Sequence, residues 1–213
     1  MKKLLLLFLP IAMISCSSDD STPVETIPVT ANAIAYIRGS VNGQSIDYSY
    51  TADFFTPSYY NYINGSYGVD PGRSFYYGGS FSPAASNTGR PALTISWNNM
   101  LTGSTGDENT AFYPAFETNV TNYITSEQEE NRVKGVDVSY ESEDGKNYST
   151  LEGSQTGSTF TIATSEKGTE AVSGLKTQTI TGTFSCKLYN YDNPAEIITI
   201  TGGTYKVIVR EFD

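Results

Sequence analysis

Apolar and polar residues that alternate with a period of two are the feature that most constrains the fold of this chain. A strand points successive side chains to opposite faces, so the pattern predicts strands with one buried face and one solvated face. Such strands are typical of antiparallel sheets. The apolar positions include Ala35 and Ile37, Ile46 and Tyr48, Leu93, Ile95 and Trp97, Val136 and Val138, Phe160 and Ile162, Ile180, Phe184, Cys186 and Leu188, and Tyr205, Val207 and Val209.

Turn residues between these segments agree with the alternation. Asn42-Gly43 and Asp144-Gly145 each separate two alternating runs, and such pairs supply the positive φ angles of a type I′ hairpin turn. Gly202-Gly203 is expected to turn residues 197–201 back into residues 204–210. The sequence therefore predicts a mainly β protein with a single antiparallel β-sandwich or barrel-like domain.

One segment has helical rather than strand spacing. In residues 105–119, Ala111, Phe112, Ala115 and Phe116 recur at helix-like intervals, and Pro114 limits any helix to a turn or two. We expect one short helix here, closing an open edge of the sheet. The polar residues 125–132 that follow are expected to form a loop.

The first residues predict export. Lys2 and Lys3 precede an apolar run at residues 4–14, which is typical of a signal peptide and shorter than the roughly 20 residues of a spanning helix. Residues 13–16, Met-Ile-Ser-Cys, resemble a bacterial lipobox, although Met13 stands where leucine is usual. That resemblance implies cleavage before Cys16 and attachment of lipid to it. The alternative is an ordinary signal peptide with an incidental cysteine.

Two further segments resemble lipoproteins of Bacteroidota. Residues 17–20, Ser-Ser-Asp-Asp, are similar to the serine- and acid-rich start of these proteins, which implies export to the outer face of the outer membrane. In the last 80 or so residues, the runs at 135–140, 144–150 and 180–186 are similar to small lipoprotein families of unknown function. This second resemblance supports the fold and implies no activity. Whether the chain faces the periplasm or the outer leaflet stays open.

The expected organisation has three parts. Residues 1–15 form the lipoprotein signal peptide, residues 16–31 a flexible lipidated tether, and residues 32–213 the β-sandwich domain. The tether is assigned because its Ser, Thr, Pro and acidic residues cannot bury enough apolar area to offset the entropy of ordering. The acyl chains on Cys16 would hold the protein at the membrane.

Charge excludes some partners. The formal net charge is −10, and cleavage before Cys16 would also remove Lys2 and Lys3. Proteins that bind nucleic acid carry basic patches, so we expect no nucleic-acid partner. Electrostatic docking to anionic lipid is disfavoured for the same reason, which leaves the lipid anchor as the contact with the membrane.

Catalytic chemistry finds little support. The chain has no histidine, the usual base of hydrolytic triads and a common zinc ligand. The alternation places Cys186 inward as a small core residue rather than a nucleophile. Acidic residues cluster at 107–108, 127–130 and 141–144, where solvated loops are expected. We therefore expect no enzyme, no cofactor and no transition metal. Calcium needs only oxygen ligands, and a calcium site is left unassigned.

Tyrosine is the one unusual component, with 16 Tyr against a single Trp. Exposed Tyr59, Tyr60, Tyr62 and Tyr76, together with Trp97, are hypothesised to form a ligand contact patch, since flat rings with a polar tip suit sugars or protein partners. The alternative is that tyrosine simply favours half-buried strands.

The favoured function is a membrane-anchored surface module that binds a glycan or an envelope protein. The alternatives are a structural or assembly accessory of the envelope without a ligand, and a carboxylate-based glycosidase, which would need two acids facing each other across a sugar.

Overall fold

A computed structural model of the protein describes residues 30–51, 58–67, 73–83, 91–103, 112–117 and 119–211. These residues form one antiparallel sheet of eleven strands that curls into a half-barrel, with a single short α-helix. The predicted fold class is confirmed. The expected signal peptide and Cys16 lie outside the described residues. Thr30, near the end of the expected tether, accepts a hydrogen bond of 2.7 Å at its carbonyl from the Arg38 guanidinium.

The strands follow one another along the chain. They are β1 (Ala35–Val41), β2 (Gln44–Tyr50), β3 (Ser58–Tyr67), β4 (Arg73–Pro83), β5 (Ala92–Gly103), β6 (Asn119–Val120), β7 (Gly135–Glu141), β8 (Asn147–Ser149), β9 (Thr159–Thr169), β10 (Lys176–Asn190) and β11 (Ile197–Arg210). Their order across the sheet is β2-β1-β11-β10-β8-β7-β5-β4-β3, with β9 on β10 and β6 on β9.

The long strand β10 makes the sheet curl. Residues 176–185 of β10 pair with β9, whereas Tyr189 and Asn190 pair with β8. Because β10 changes its neighbour along its length, β9 and β8 diverge. The strands that follow β8 across the sheet, namely β7, β5, β4 and β3, fold back over β11. The apolar faces of β3, β4 and β5 thereby come to lie against those of β9, β10 and β11.

Contacts across the interior show this closure. The Tyr60 hydroxyl on β3 donates to the Ile208 carbonyl on β11 at 2.6 Å and accepts from the Ile208 N–H at 3.1 Å. The Trp97 ring on β5 lies 5.8 Å from the Tyr205 ring and 5.7 Å from the Phe160 ring, measured between centroids. The half-barrel therefore encloses an aromatic core.

The alternation of the sequence is confirmed by burial. Leu93, Ile95 and Trp97 on β5 are fully buried, as are Tyr205, Val207 and Val209 on β11. Other inward positions are also buried: Ala35 and Ile37, Val136 and Val138, Phe160 and Ile162, and Ile180, Phe184, Cys186 and Leu188. The pattern is less regular on β2, where Ile46 is half-buried and Ser49 is buried, and on β7, where Asp137 is buried.

The hairpin at Asn42-Gly43 is also confirmed. Both residues have positive φ, 47° and 83°, and they connect β1 directly to β2. Asp144-Gly145 connects β7 to β8 by a different turn. There the Gly145 N–H donates to the Ser142 carbonyl at 3.0 Å, and Gly145 has a φ of 82°.

The turn expected at Gly202-Gly203 is wrong, because β11 runs through both residues as one strand. Gly202 has a φ of 59°, and the register with both neighbouring strands shifts at this point. These are the signs of a β-bulge, in which an extra residue bends the strand without reversing it.

Residues 105–111 and 118 of the segment where a short helix was expected lie outside the described residues, so its position there stays a prediction. The α-helix that is described, α1 (Ser126–Glu130), lies in the segment expected to be a loop. It begins with a capping box in which the Thr125 hydroxyl accepts from the Gln128 N–H and the Gln128 side chain accepts from the Thr125 N–H. In the segment 105–119, the described part forms only a 3-10 helix, Pro114–Phe116, because proline begins a turn but cannot continue an α-helix.

Within the described part of the chain, no helix has the length and apolar character needed to cross a membrane.

Candidate functional site

Two members of the hypothesised contact patch are core residues. Trp97 is 0% exposed and Tyr60 is 8% exposed, so the expectation that they are surface residues is wrong. Trp97 lies on the inner face of β5 against Phe160 and Tyr205, and the hydroxyl of Tyr60 is bonded to the backbone of β11. The half-barrel folds β3 and β5 over β11, and the alternation of one strand does not reveal which second layer covers it.

The other members do not complete the patch. Tyr76 is half-buried and lies at a register shift between β4 and β5. Tyr59 and Tyr62 belong to β3, but their side chains lie outside the described part of the structure. The structure therefore does not bring the five residues together as one exposed surface.

A different set of tyrosines lines a recess of about 260 Å³ at one end of β7 and β8. We call it the tyrosine recess. Its lining residues are Ser80, Ala92, Thr94, Ser139, Tyr140, Glu141, Asn147, Tyr148, Ser149 and Tyr191. Tyr140 and Tyr148 alternate with Ser139 and Ser149 along their strands, so their rings point to the inner face of the sheet, away from the hydroxyl side chains.

Strand register places two of these tyrosines together. Tyr140 on β7 lies directly opposite Tyr148 on β8, and their ring centroids are 6.4 Å apart. Tyr148 is buried and Tyr140 is half-buried. Aromatic side chains at opposed positions of an antiparallel pair contact each other directly, and these two rings pack against the core on the inner face of the sheet.

The third tyrosine comes from the loop after β10. Tyr191 is 68% exposed, and its N–H donates to the Asn147 carbonyl at 2.9 Å. The Asn190 side chain accepts from the N–H groups of Asp192 and Asn193, both at 2.9 Å. This turn, built by an asparagine side chain, holds the backbone of Tyr191 while leaving its ring in solvent.

A row of hydroxyl groups crosses the recess. Ser80, Thr94, Ser139 and Ser149 pair in succession across β4, β5, β7 and β8. The Thr94 hydroxyl donates to that of Ser80 at 3.0 Å. Neighbouring strands lie about 4.8 Å apart, so the row offers hydrogen-bond donors and acceptors at regular intervals.

Glu196 fixes the buried tyrosine. Its Oε1 atom accepts from the Tyr148 hydroxyl at 2.6 Å and from the Lys146 ammonium at 2.7 Å. The Lys146 ammonium lowers the pKa of Glu196, so this carboxyl stays ionised as an acceptor. Burial, followed by the hydrogen bond to Glu196, raises the pKa of Tyr148, which keeps its hydroxyl protonated as the donor.

A larger recess, about 620 Å³, lies beside α1 between residues 123–127 and 151–156. The aromatic residue among its lining residues, Tyr123, has its hydroxyl bonded to the Ser185 carbonyl at 3.0 Å. The Ser126 hydroxyl is likewise bonded to Glu152 at 3.0 Å. The polar groups of this recess are therefore already engaged within the fold, and it offers a ligand less than the tyrosine recess.

One acidic residue departs from the expectation that the acids cluster in loops. Asp137 on β7 is buried, and it accepts a hydrogen bond of 2.5 Å from the Asn98 side chain. Burial, against the lowering effect of the hydrogen bond from Asn98 and with a smaller contribution from the charge of Glu129, raises its pKa to about 7. Asp137 lines neither the tyrosine recess nor the recess beside α1.

Cys186 lies where the alternation placed it. Its thiol is buried between the inward positions of Phe184 and Leu188, and burial raises its pKa to about 12. A thiol of such high pKa is a poor nucleophile at neutral pH.

Among the residues that the structure describes, no group of three or more acidic or cysteine side chains is arranged to hold a metal ion. This observation does not assign residues to the calcium site that the sequence left open.

Sequence reasoning missed the tyrosine recess because its three aromatic residues come from separate segments. Tyr140 and Tyr148 flank a hairpin, and Tyr191 lies beyond the next two strands. One signal was present: Tyr191 precedes Asp192, Asn193 and Pro194, and a large aromatic residue within a turn has little chance of burial.

Comparisons with protein-family models, with curated proteins and with solved structures found no match for this chain.

Proposed function

We propose that the protein is a non-enzymatic surface module that binds a glycan in the tyrosine recess. The observation that carries the proposal is an exposed aromatic ring, Tyr191, beside a row of four hydroxyl groups that line the same recess. A sugar has an apolar face and a polar edge. The Tyr191 ring matches the face, and the hydroxyl row matches the edge.

The geometry favours a short ligand. About 260 Å³ lies just below the roughly 300–1,000 Å³ of pockets that enclose drug-sized molecules. An end or a short branch of a glycan would fit, with Tyr191 covering it from the solvent side. Tyrosine provides this contact area at low entropic cost because it has only two side-chain torsions.

Binding suits the recess better than hydrolysis. Glycoside hydrolysis by two acids needs both carboxyl groups within about 5–10 Å across the sugar. Of the described residues that line the recess, Glu141 is the carboxylate, and Glu196 beside it is committed to Tyr148 and Lys146. A glycan is preferred over an envelope protein because the recess is concave and small rather than a broad face.

The location of the protein in the cell envelope is part of the same proposal. A leader ending before Cys16, lipid on Cys16 and a tether to residue 31 would hold the module at the outer membrane, exposed at the cell surface. The lipobox resemblance and the acidic residues after Cys16 support this placement. Mass spectrometry of the native protein would detect the acylated cysteine, and an unmodified Cys16 would refute the anchor without bearing on the recess.

A glycan array with the full chain in detergent tests the binding function. We expect binding to a restricted set of glycans, weakened about tenfold by Tyr191→Ala because one stacking contact is lost. Tyr191→Phe should retain most of the affinity, since the ring remains. Val172→Ala is the matched control, because Val172 is 98% exposed and does not line the recess. Equal binding by Tyr191→Ala and the control would refute the proposal.

A further inference from the structure

We infer that the half-barrel carries a second binding site, on the inner face of β9 and β10, for an α-amino acid, a small ligand with an ammonium and a carboxylate on one carbon atom. The site is a recess of about 340 Å³ lined by Tyr113, Pro114, Glu117, Ser165, Lys167 and Gln178. We call it the glutamine recess. It shares no lining residue with the tyrosine recess, and the inference does not depend on the proposed glycan binding.

Strand register places three polar side chains on the inner face of the sheet. Lys167 on β9 lies opposite Gln178 on β10, and Ser165 lies opposite Ile180. Gln178 lies in turn opposite Val209 of β11, which is a core residue. Directly opposed residues of an antiparallel sheet share a face, so Ser165, Lys167 and Gln178 all point inward. They make this end of the inner face polar, next to apolar core.

The buried amide of Gln178 points to a ligand. Gln178 is 3% exposed, and its Nε2 atom donates to the Ser165 hydroxyl at 2.5 Å. Its Oε1 atom is also buried, and it accepts no hydrogen bond from any residue that the structure describes. Both side chains line the recess, so the amide group lies at its wall. A buried carbonyl oxygen without a donor is costly and rare in native proteins, and an N–H group of a ligand would satisfy it.

Charged groups of both signs line the open side of the recess. Lys167 and Glu117 are exposed. The Lys167 ammonium lies 5.0 Å from the centroid of the Tyr113 ring, and no carboxylate within the described ranges forms an ion pair with it. The ring is fixed in turn, because the Tyr113 hydroxyl donates to the Gly168 carbonyl at 2.9 Å. The recess therefore presents a cation, an anion and an aromatic wall around a buried acceptor.

An α-amino acid complements these groups. Its ammonium would donate to Gln178 Oε1 and face the carboxylate of Glu117. Its carboxylate would face the Lys167 ammonium and accept from the Ser165 hydroxyl, whose oxygen is already bonded to Gln178. A neutral sugar would leave both charges unmatched, and a simple anion would leave Gln178 Oε1 without a donor. The volume lies near the lower end of the roughly 300–1,000 Å³ of ligand pockets, which suits a ligand of this size.

Calorimetric titration of the full chain in detergent with the common L-amino acids tests the inference. We expect saturable binding of at least one of them. The carboxamide of that amino acid should bind about tenfold more weakly, because its attraction to Lys167 is lost. The N-acetyl derivative should also bind about tenfold more weakly, because it no longer carries the positive charge that faces Glu117.

Two variants link binding to the named side chains. Lys167→Met should weaken binding about tenfold, and the fold should be retained because Lys167 is exposed. Gln178→Leu should weaken binding by a similar factor while the midpoint of urea unfolding stays level or rises, because an apolar side chain replaces a buried amide with an unpartnered oxygen. A purely structural role of Gln178 would lower that midpoint instead. Lys187→Met is the matched control, since Lys187 does not line the recess.

The outcomes separate this inference from the proposed function. Absence of binding by every amino acid would overturn the inference and leave glycan binding in place. Losses at Lys167→Met and Gln178→Leu no larger than at Lys187→Met would overturn it as well. Tyr191→Ala should leave amino-acid binding unchanged, and a loss there would refute a separate site. A negative glycan array combined with intact amino-acid binding would refute only the proposed function.

Discussion

The protein uses aromatic residues in two regions that differ in almost every physical respect. In the core, Trp97, Phe160 and Tyr205 are buried, with ring centroids 5.0–5.8 Å apart, and they come from β5, β9 and β11. At the tyrosine recess, Tyr191 is 68% exposed, whereas Tyr140 and Tyr148 direct their rings inward against the same core. The core rings fill the interior of the half-barrel, and the Tyr191 ring opens to solvent.

The difference teaches that the position in the sheet, rather than the residue type, decides what an aromatic side chain does here. A tyrosine on an inward strand position is held by packing and by a backbone partner, as Tyr205 is by the Thr161 carbonyl at 2.7 Å. A tyrosine in the turn after β10 has no second layer above it. The apolar surface of such a ring stays in contact with water after folding, so its burial stabilises a bound ligand rather than the fold.

The largest expected effect comes from emptying the core. Trp97→Ala should destabilise the protein by about 3–5 kcal/mol, because it removes a fully buried indole and leaves a cavity. Chemical denaturation with a fluorescent extrinsic dye measures this, since the variant lacks the chain's only tryptophan. Trp97→Phe should be milder, at about 1–2 kcal/mol, because a ring remains and the indole N–H has no partner among the described residues. Equal losses for both variants would show that ring packing does not hold this region together.

The buried acid of β7 gives an effect that depends on pH. Burial raises the pKa of Asp137 from 3.8 to about 7, so the native state keeps a proton that the unfolded chain loses. Its contribution to stability is therefore greatest below pH 4, falls as pH rises from about 4 to about 7, and is level above that.

Asp137→Asn should remove this slope and retain the hydrogen bond from Asn98. Relative to the natural chain, the free energy of unfolding of the variant should rise by about 2 kcal/mol between pH 4 and pH 7. One pKa unit corresponds to about 1.4 kcal/mol, and relaxation of the protein around a buried charge reduces the effect of the full shift. Urea unfolding at several pH values measures it, with Asp192→Asn in an exposed loop as the control. Parallel profiles for the natural chain and Asp137→Asn would contradict the assignment.

The smallest expected effect on stability belongs to the recess. Tyr191→Ala should change the free energy of unfolding by less than about 0.5 kcal/mol, since most of its ring is already in solvent. Differential scanning calorimetry compares it with Trp97→Ala under the same conditions. A large loss at Tyr191 would mean that this ring stabilises the turn after β10, and the contrast between the two regions would then disappear.

Much of the core could be predicted from alternation alone. The inward positions of β5, β7, β10 and β11 were assigned correctly because strand geometry fixes the face of each side chain locally. Cys186 was assigned correctly for the same reason. The hairpin at Asn42-Gly43 was equally local, since two adjacent residues supply both positive φ angles.

Errors arose where a distant strand or a single extra residue changed the outcome. Gly202 bends β11 as a bulge because β1 and β10 continue to pair on both sides of it, and its own sequence is equally consistent with a turn. Tyr60 was expected at the surface because nothing in β3 indicates that β11 lies over it. Trp97 was included in the surface patch although the alternation placed it inward with Leu93 and Ile95, and the alternation was correct. Residues 125–132 were expected to form a loop because the polar composition of the segment obscured the capping box of Thr125 and Gln128, which begins α1.

The sequence by itself determined that the chain forms antiparallel strands and which residues of each strand point inward, because these properties depend on backbone geometry over a few residues. Only the tertiary structure decided which strands face each other and where an opening remains. Those outcomes depend on the change of partner along β10, which brings Tyr191 beside the hydroxyl row of β4, β5, β7 and β8. That convergence is a property of long-range pairing, and local patterns carry no record of it.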